Sequence, residues 1–408
     1  MNTPLSQPKI KGSDVFGHMR VQTEKALLAL LKDSQGKMNF DLQSRPLARL
    51  FTPQEAANMV GVSGTTLRKI EETLVKDGRI EPVEKNPKTG KRLGYTFHVI
   101  QEAREYQGTL PWRDPETDPC LIVAVIHFKG GVGKTETASN CARSLALKGY
   151  RVGIIDLDHQ GSTTGSFGYL PDYHFKKEHT IIPYVTGEQE TLHYALQKTA
   201  WPNIKLIPGC MALEDFNWAL AFDAMDASFE ERKELHYELQ RGIDTIKDDF
   251  DVILIDSPPS SSINSFSIIA AANGIVIPLP PAKHDLASTA QFAAIGEKLT
   301  SGILEDKYYH FFRCLITKFQ NQGNRSDNDK DFRSIYQSYM PDWCYEKVFR
   351  QMAPITDAAA EFTTVYEMEN PNKDILKELD QVFEQVELDI ISHWPSKKDY
   401  LTKLGYGG

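Results

Sequence analysis

Cysteine is scarce in this sequence, and the positions of its few cysteines exclude several classes of site. The 408-residue chain has five cysteines, Cys120, Cys141, Cys210, Cys314 and Cys344, and no two of them form a Cys-x-x-Cys pair. Zinc and iron–sulfur sites held by paired cysteines are therefore excluded. An odd, scattered set also predicts a protein of the reducing cytoplasm without a structural metal.

Long hydrophobic runs and export signals are also missing. The longest apolar run, Phe266–Pro278, is interrupted by Asn273 and is too short to cross a bilayer. The first residues do not form a basic-then-apolar leader, so we expect a cytoplasmic protein with no membrane contact. A length of 408 residues predicts two or more domains.

Positive charge is concentrated in the first part of the chain. Residues 1–112 carry 17 Lys/Arg and 12 Asp/Glu, a net charge of +5, whereas residues 113–408 carry 29 and 43, a net charge of −14. A basic head on an acidic body favours contact of the head with a polyanion. The alternative is that this difference in net charge is ordinary variation in composition.

Apolar strands alternate with amphipathic helices after a proline-rich stretch at 107–119. The strand pattern, continuous and rich in β-branched residues, is typical of a parallel sheet covered on both faces. It appears at Cys120–Phe128, Val152–Ile155, Val252–Ile255, Gly274–Ile277 and Phe311–Ile316. We predict an α/β fold with a doubly wound, mainly parallel sheet. The predicted segments are an N-terminal helix (1–45), a basic head (46–106), a linker (107–119) and an α/β body (120–408), with a loop at Gln320–Lys330.

A glycine-rich motif follows the first strand and leads into a helix. Its glycines allow backbone N–H groups to converge on phosphate oxygens at the start of the helix. Lys134 would neutralise the β- and γ-phosphates, and the Thr135 hydroxyl would ligate Mg²⁺. The predicted ATP or ADP contacts are Gly130, Gly131, Val132, Gly133, Lys134, Thr135 and Thr137.

The motif departs from the general phosphate-loop pattern in a specific way. Phe128 occupies the position of its first glycine, and a second lysine, Lys129, follows directly. This resembles the deviant Walker A motif of the ParA/MinD superfamily of ATPases. The resemblance implies that Lys129 reaches the nucleotide of a second subunit, so that ATP joins two chains in a dimer.

Carboxylates follow two further strands. Asp156-Leu157-Asp158-His159-Gln160-Gly161 is similar to the family's D-x-D-P-Q-G motif, with His159 in place of proline, and Asp256 is similar to its Walker B aspartate. We expect Asp158 to orient the attacking water, and Asp156 and Asp256 to hold the water shell of Mg²⁺. Each carboxylate taken singly also fits a solvated turn or a helix cap.

Two segments are similar to those that line the base pocket in this superfamily. They contain Pro280 and Thr317-Lys318-Phe319, and each follows a predicted strand. These residues are the candidate adenine contacts. An equal alternative is that the prolines only turn the chain and do not contact the base.

The basic head has the pattern of a winged helix-turn-helix. Thr52-Pro53-Gln54-Glu55 is a capping box with proline at the first helical position, and a turn at Gly61 precedes a second helix. Arg79–Tyr95 then predicts two short strands around 86–90. Candidate DNA contacts are Thr65, Thr66, Arg68 and Lys69 on the second helix and Lys85, Lys88, Lys91 and Arg92 on the wing. Plain packing of two helices is the alternative.

An apolar-faced helix precedes this head. Its apolar residues are Val15, Phe16, Met19, Leu27, Leu28, Leu30 and Leu31. A dimer contact at this helix would pair two DNA heads, as operators with two-fold symmetry require.

The head at 46–106, a predicted DNA-binding domain, and the motifs of a predicted ATPase domain at 120–408 together resemble the larger partition ATPases of ParA/SopA type. That resemblance implies non-specific DNA binding by an ATP-bound dimer, hydrolysis stimulated by a ParB-type centromere-binding partner, and repression of the partition operon by the head. It also implies a nucleoid-associated location and a basic DNA contact late in the chain, for which Arg350 and Lys347 are the candidates. A solvated surface pair is the alternative for those two residues.

The end of the chain bears on a rival function. Apolar positions between 375 and 390 predict a helix that packs on the sheet or, alternatively, contributes to self-association. Residues 394–408 predict a disordered end; an amphipathic membrane helix there would instead indicate a MinD-like regulator. A metabolic enzyme of the same fold and a nucleotide-responsive repressor without turnover are the other rivals.

Overall fold

The computed structural model describes residues 49–218, 228–320 and 326–405, together with residue 47 and five positions between 19 and 25. The chain separates into two compact units, residues 1–45 and residues 46–408. In the first unit the described positions, 19, 21–23 and 25, are helical and exposed. The other apolar positions of the predicted N-terminal helix, 15, 16, 27, 28, 30 and 31, lie outside the described residues, so the dimer contact stays a prediction.

Three helices begin the second unit: α1 (Pro53–Val60), α2 (Gly64–Lys76) and α3 (Phe97–Gln107). The predicted capping box starts α1, because the Glu55 N–H donates to Thr52 Oγ1 at 3.2 Å and the Thr52 N–H donates to Glu55 Oε2 at 2.9 Å. Gly61 ends α1 at φ +78°, a conformation that glycine adopts without strain. The predicted helix, turn and second helix are all present.

A short hairpin joins α2 to α3 at the position of the predicted wing. Its antiparallel bridge pairs Lys85 with Arg92, and the Asn86 N–H donates to the carbonyl oxygen of Lys91 at 2.7 Å. The regular pairing is shorter than the two strands that the sequence predicts.

The centre of the body is a seven-stranded sheet. Its strands are β1 (Leu121–Val125), β2 (Val152–Asp156), β3 (Gln197–Lys198), β4 (Ile204–Ile207), β5 (Val252–Asp256), β6 (Gly274–Leu279) and β7 (Phe311–Ile316). Their order is β3-β4-β2-β5-β1-β6-β7, and β3 is antiparallel to β4 whereas the other neighbours are parallel. The doubly wound, mainly parallel α/β fold is therefore confirmed. β3 and β4 are strands that the sequence analysis missed.

Helices accompany the strands along the body, in addition to a helical stretch at 212–218. They are α4 (Lys134–Lys148), α5 (Ser162–Ser166), α6 (Pro171–His174), α7 (Ile182–Val185), α8 (Phe229–Asp244), α9 (Ile263–Ala271), α10 (Lys283–Thr300), α11 (Ser326–Tyr339), α12 (Ala353–Ala360), α13 (Lys373–Ile391) and α14 (Lys398–Lys403). The loop predicted over 320–330 is wrong from Ser326 onward, where α11 begins. Asp327 and Asp329 in its first turn suit the positive end of the helix dipole.

The long C-terminal helix α13 packs on the body, as one of its two interpretations predicts. Val382, Phe383 and Val386 are buried on its inner face, where α13 contacts α4. Lys148 at the end of α4 forms an ion pair with Glu387 of α13. This apolar face is therefore covered within the chain.

The tail after α13 is ordered, so its predicted disorder is wrong for the described residues 394–405. Trp394 is 1% exposed, and its indole N–H donates to the carbonyl oxygen of Pro119 at 2.9 Å. Leu401 of α14 is also buried. Across the described part of the chain, no helix is long and apolar enough to cross a membrane.

The predicted linker lies against the body through specific contacts. Arg113 is buried, and its guanidinium donates to the carbonyl oxygens of Phe250 at 2.9 Å and Asp118 at 3.0 Å. Arg104 of α3 donates to the carbonyl oxygen of Leu147, near the end of α4, at 2.9 Å. The N-terminal helices of this unit are thus tied directly to the helix that follows the glycine-rich motif. The predicted domain boundaries stay a prediction.

Candidate nucleotide site

A cavity of about 520 Å³ opens at the carboxyl edge of the sheet, where the segments after β1, β2 and β5 meet. Ligands of open α/β sheets bind at this edge. From those segments the lining residues include Gly130, Gly131, Gly133, Lys134, Thr135, Glu136, Asp158, Gln160, Gly161 and Pro259. The sequence motifs that were predicted to converge do so here.

The glycine-rich motif curls around one end of this cavity. Gly131 has φ +74° and Gly133 has φ +96°, which L side chains rarely adopt, and α4 starts at the next residue. Val132 is buried outside the lining, and its carbonyl oxygen accepts from Thr317 Oγ1 at 2.7 Å. This backbone presents a helix N-terminus to an anion.

Lys134 supplies a cation at the same end of the cavity. Its side chain is largely buried, and its ammonium donates to the carbonyl oxygen of Lys129 at 3.1 Å. Burial lowers the pKa of Lys134, and the nearby carboxylates of Asp256 and Asp158 oppose that shift. The ammonium is therefore placed to neutralise a phosphate that enters the cavity.

Asp256 has one satisfied and one orphaned carboxylate oxygen. Oδ2 accepts from Thr135 Oγ1 at 2.7 Å and from Thr163 Oγ1 at 2.8 Å, whereas the buried Oδ1 has no hydrogen-bond partner. Burial raises the pKa of Asp256 to about 6. An unpartnered carboxylate oxygen beside a threonine hydroxyl fits Mg²⁺, which prefers oxygen ligands. Thr135 and Asp256 therefore suit the predicted metal site.

Asp156 and Asp158 have different surroundings. Asp156 is opposite Asp256 in the β2–β5 register, and its Oδ2 accepts from the Thr164 N–H at 2.7 Å. Burial first, and then the Asp256 charge, raise the pKa of Asp156 well above its usual range. Neither Asp156 nor Asp256 lines the cavity, so the metal roles of both stay predictions. Asp158 does line it, and its Oδ1 accepts from the Gln160 N–H at 3.0 Å.

Lys129 and Thr137 lie outside the lining of the cavity. The Lys129 ammonium forms an ion pair with Asp285 instead. The Thr137 hydroxyl is buried and has no hydrogen-bond partner.

The other end of the cavity differs from the predicted adenine site. Of the four predicted residues, Lys318 lines the cavity, whereas Pro280, Thr317 and Phe319 do not. Phe319 is in the core, and the carbonyl oxygen of Pro280 accepts from the hydroxyl of Tyr336. The remaining lining includes a wall from α12 and the turn after it, which the sequence did not predict: Ile355, Ala359, Phe362, Thr363 and Thr364.

Two residues that line the cavity have strained backbones. Lys318, at φ +53°, and Phe362, at φ +54°, are the non-glycine residues with positive φ in the described part of the chain. The Phe362 ring lies close to Gly165, where an added Cβ would meet it at 3.5 Å. Strain of this kind is concentrated at functional sites, and both strained residues line the same cavity.

Comparison with known sequences agrees with this geometry. A family described as AAA domain matches residues 120–303. Protein SopA of Escherichia coli (strain K12) is 33% identical over 287 residues, which cover 69% of this chain and 71% of SopA. Cell division protein PomZ of Myxococcus xanthus is 25% identical over 280 residues, covering 69% of this chain and 81% of PomZ.

Solved structures share the fold. Apo McdA of Cyanothece superposes with a TM-score of 0.56 at 19% identity, covering 66% of this chain and 99% of McdA. A putative plasmid partition protein from Borrelia burgdorferi, bound to AMPPNP, gives a TM-score of 0.51 at 21% identity, covering 66% of this chain and 98% of that protein. At these identities the likeness establishes the architecture of the body.

Proposed function

Because the chain belongs to the ParA/MinD-type partition ATPases, the family that includes SopA, it is an ATPase, and we propose that it segregates DNA. In this proposal an ATP-bound dimer binds DNA non-specifically. A ParB-type centromere-binding partner stimulates hydrolysis, which releases the DNA. The N-terminal head binds an operator and represses the partition operon, and the protein is cytoplasmic and nucleoid-associated.

The observation that carries this proposal is the different placement of two lysines of one motif. Lys134 lines the cavity of its own subunit, whereas Lys129 lies outside that lining. Lys129 is adjacent to Lys134, whose ammonium donates to the Lys129 carbonyl oxygen, and its own side chain is 30% exposed. Such a cation can attract a phosphate held by a neighbouring chain at short range. We therefore assign Lys134 to the nucleotide of its own subunit and Lys129 to the nucleotide of the partner.

Within one subunit, different residues have different roles in phosphoryl transfer. The glycine-rich backbone and Lys134 bind the phosphates, and Asp158 orients the attacking water. Thr135 and Asp256 would hold Mg²⁺, and Asp156 would support its water shell. When bound, Mg²⁺ neutralises charge on the phosphate oxygens. Ile355 and Phe362 supply apolar surface for the base.

The exposed cations of the head support operator binding. Thr65, Thr66, Arg68 and Lys69 are exposed on the first turns of α2, and Lys85, Lys88 and Lys91 are exposed on the hairpin. Arg92 is less exposed, and its Nε donates to Glu71 Oε2 at 2.7 Å. Arg92 therefore has a structural contact within the head besides its predicted contact with DNA.

Replacing Arg68 with alanine is expected to weaken binding to DNA from upstream of the chain's own gene by about 10- to 100-fold, the usual effect of losing a base contact. Binding to scrambled DNA of equal length should change far less. Gel shifts on both DNAs measure the difference. Lys76→Ala, at the exposed far end of α2, is the matched control. An equal loss on both DNAs would contradict base reading by Arg68.

Replacing Arg350 with alanine is expected to weaken non-specific DNA binding and to reduce its salt slope by about 1, because one phosphate contact is lost. The Arg350 guanidinium is 2.7 Å from Glu378 Oε2, and its Nε is buried without a partner. Glu378→Gln should therefore act in the opposite direction and strengthen binding. Lys347, which pairs with Glu346, is a second candidate for the same surface. Unchanged binding of Arg350→Ala over a salt series would remove the assignment.

Analytical ultracentrifugation and gel shifts without nucleotide, with ADP and with ATP test the whole proposal. We expect an ATP-dependent dimer that binds non-specific DNA, and ATP hydrolysis that rises with DNA and partner. Nucleotide binding without hydrolysis under any stimulus would favour a nucleotide-responsive repressor. A MinD-like membrane regulator receives no support from Trp394, which is buried.

A further inference from the structure

Lys129, the lysine assigned above to the partner's nucleotide, is already occupied within its own subunit. Its ammonium forms an ion pair with Oδ1 of Asp285 in the first turn of α10. The Asp285 side chain is 8% exposed and that of Lys129 is 30% exposed. A pair in which the acid is buried and the base is partly exposed is screened less than a surface ion pair.

A hydrogen-bond chain holds both ends of this ion pair in place. The Lys129 N–H donates to Nδ1 of His127 at 2.9 Å, and Nε2 of His127 is 3.0 Å from the Thr289 hydroxyl. The Thr289 hydroxyl in turn donates to the carbonyl oxygen of Asp285 at 2.9 Å. Since Nδ1 accepts, Nε2 carries the proton and donates to Thr289.

His127 keeps this arrangement over the physiological pH range. The ring is buried, and burial together with the Lys134 charge lowers the pKa of His127 to about 4. The ring is therefore neutral and bonds at both nitrogens. The start of the glycine-rich motif and the start of α10 are thus fixed relative to each other, with Lys129 facing Asp285.

We propose that the ion pair with Asp285 keeps Lys129 in its own subunit until a partner presents a bound nucleoside triphosphate. We call Asp285 a latch in this sense. This inference rests on the proposed function, in which Lys129 acts on the partner's nucleotide. While the pair persists, the Asp285 carboxylate neutralises the Lys129 ammonium and repels a nearby phosphate, so it weakens the attraction of Lys129 for the partner's nucleotide. Dimerisation therefore exchanges one anion for another, and its apparent affinity falls in proportion as the fraction of free Lys129 falls.

The latch also bears on which nucleotide supports the dimer. ATP carries an additional phosphate and more negative charge than ADP, so it competes better with the Asp285 carboxylate for Lys129. Asp285 would thus be a positioning residue that suppresses dimerisation with ADP. Removing its charge should raise dimerisation with both nucleotides and narrow the difference between them.

The test compares the full chain with Asp285→Asn by analytical ultracentrifugation, with AMPPNP and with ADP, so that turnover does not contribute. We expect the variant to dimerise about ten-fold more tightly with AMPPNP, within the usual range of coupling between sites, and to form dimers with ADP at concentrations where the wild type stays monomeric. In a Lys129→Gln background the same change should have no effect. Glu188→Gln, which removes the exposed ion pair with Lys177, is the matched control and should match the wild type.

The outcomes are separable. If the wild type does not dimerise with AMPPNP, the proposed function fails. If the wild type dimerises and Asp285→Asn dimerises equally or more weakly, with an unchanged thermal melt, the latch is refuted and Asp285 acts otherwise. If Asp285→Asn does not fold, Asp285→Ser serves the same purpose, because serine suits the start of a helix.

Discussion

Replacing Lys134 with alanine is expected to abolish ATP binding, with a loss of affinity of about 100-fold or more. That factor corresponds to about 3 kcal/mol, the size of a lost hydrogen bond to a charged group. The expectation follows from the position of Lys134, which is 6% exposed, lines the cavity and is the first residue of α4. Isothermal titration calorimetry with ATP and Mg²⁺ measures the effect directly.

The matched control for this substitution is Lys298→Ala. Lys298 is an exposed lysine on α10 that does not line the cavity. Lys298→Ala removes one positive charge from the same domain, as Lys134→Ala does. The ATP affinity of this control variant should match that of the wild type. Unchanged ATP affinity in Lys134→Ala would refute the assignment of the glycine-rich motif as the phosphate site.

The strands of the sheet that were predicted share a strong local signal. β1, Leu121–Val125, is continuously apolar and rich in β-branched residues, and all five of its residues are buried. β4, Ile204–Ile207, has four residues that include Lys205, and β3 has only two. Segments this short cannot show the two-residue period of a strand. They form strands because they pair with the edge of the sheet.

The glycine-rich part of the cavity was predictable from the sequence, whereas the wall from α12 was not. The glycine-rich motif is a short continuous segment. Its glycines allow the curved backbone that binds phosphate, so the curvature can be predicted from the motif itself. The wall that contains Ile355 and Phe362 is more than 200 residues later in the chain. The position of this wall depends on tertiary packing, such as the closeness of the Phe362 ring to Gly165. No local sequence pattern encodes that packing.

Long-range contacts account for two features that the sequence does not predict. A short tail with Asp399 and two final glycines predicts disorder, but the Trp394 indole donates to the carbonyl oxygen of Pro119, 275 positions away. Lys129 forms an ion pair with Asp285, 156 positions later, and its expected contact with a second subunit stays a prediction. Both partners are distant in sequence, and no local pattern marks them.

Replacing Asp158 with alanine is expected to reduce ATP hydrolysis by about 100- to 1000-fold, the usual contribution of a group that positions or activates water. ATP binding and ATP-dependent dimerisation should persist, because Lys134 and the glycine-rich backbone bind the phosphates without Asp158. The structure supports this separation, since Asp158 lines the cavity with its carboxylate oriented by the Gln160 N–H. Phosphate release under saturating ATP, measured with and without DNA, gives the rate.

Glu136→Gln distinguishes a positioned carboxylate from the mere charge of the cavity. Glu136 is a second acid in the lining, at the first turn of α4, and the proposed mechanism gives it no role in orienting water. If hydrolysis falls only in Asp158→Ala, a specific carboxylate orients the water, since an electrostatic effect of the whole cavity would follow the number of negative charges. Equal losses in both variants would instead mean that cavity charge controls turnover. A loss of dimerisation in Asp158→Ala would show that this residue acts before hydrolysis, at assembly of the two subunits.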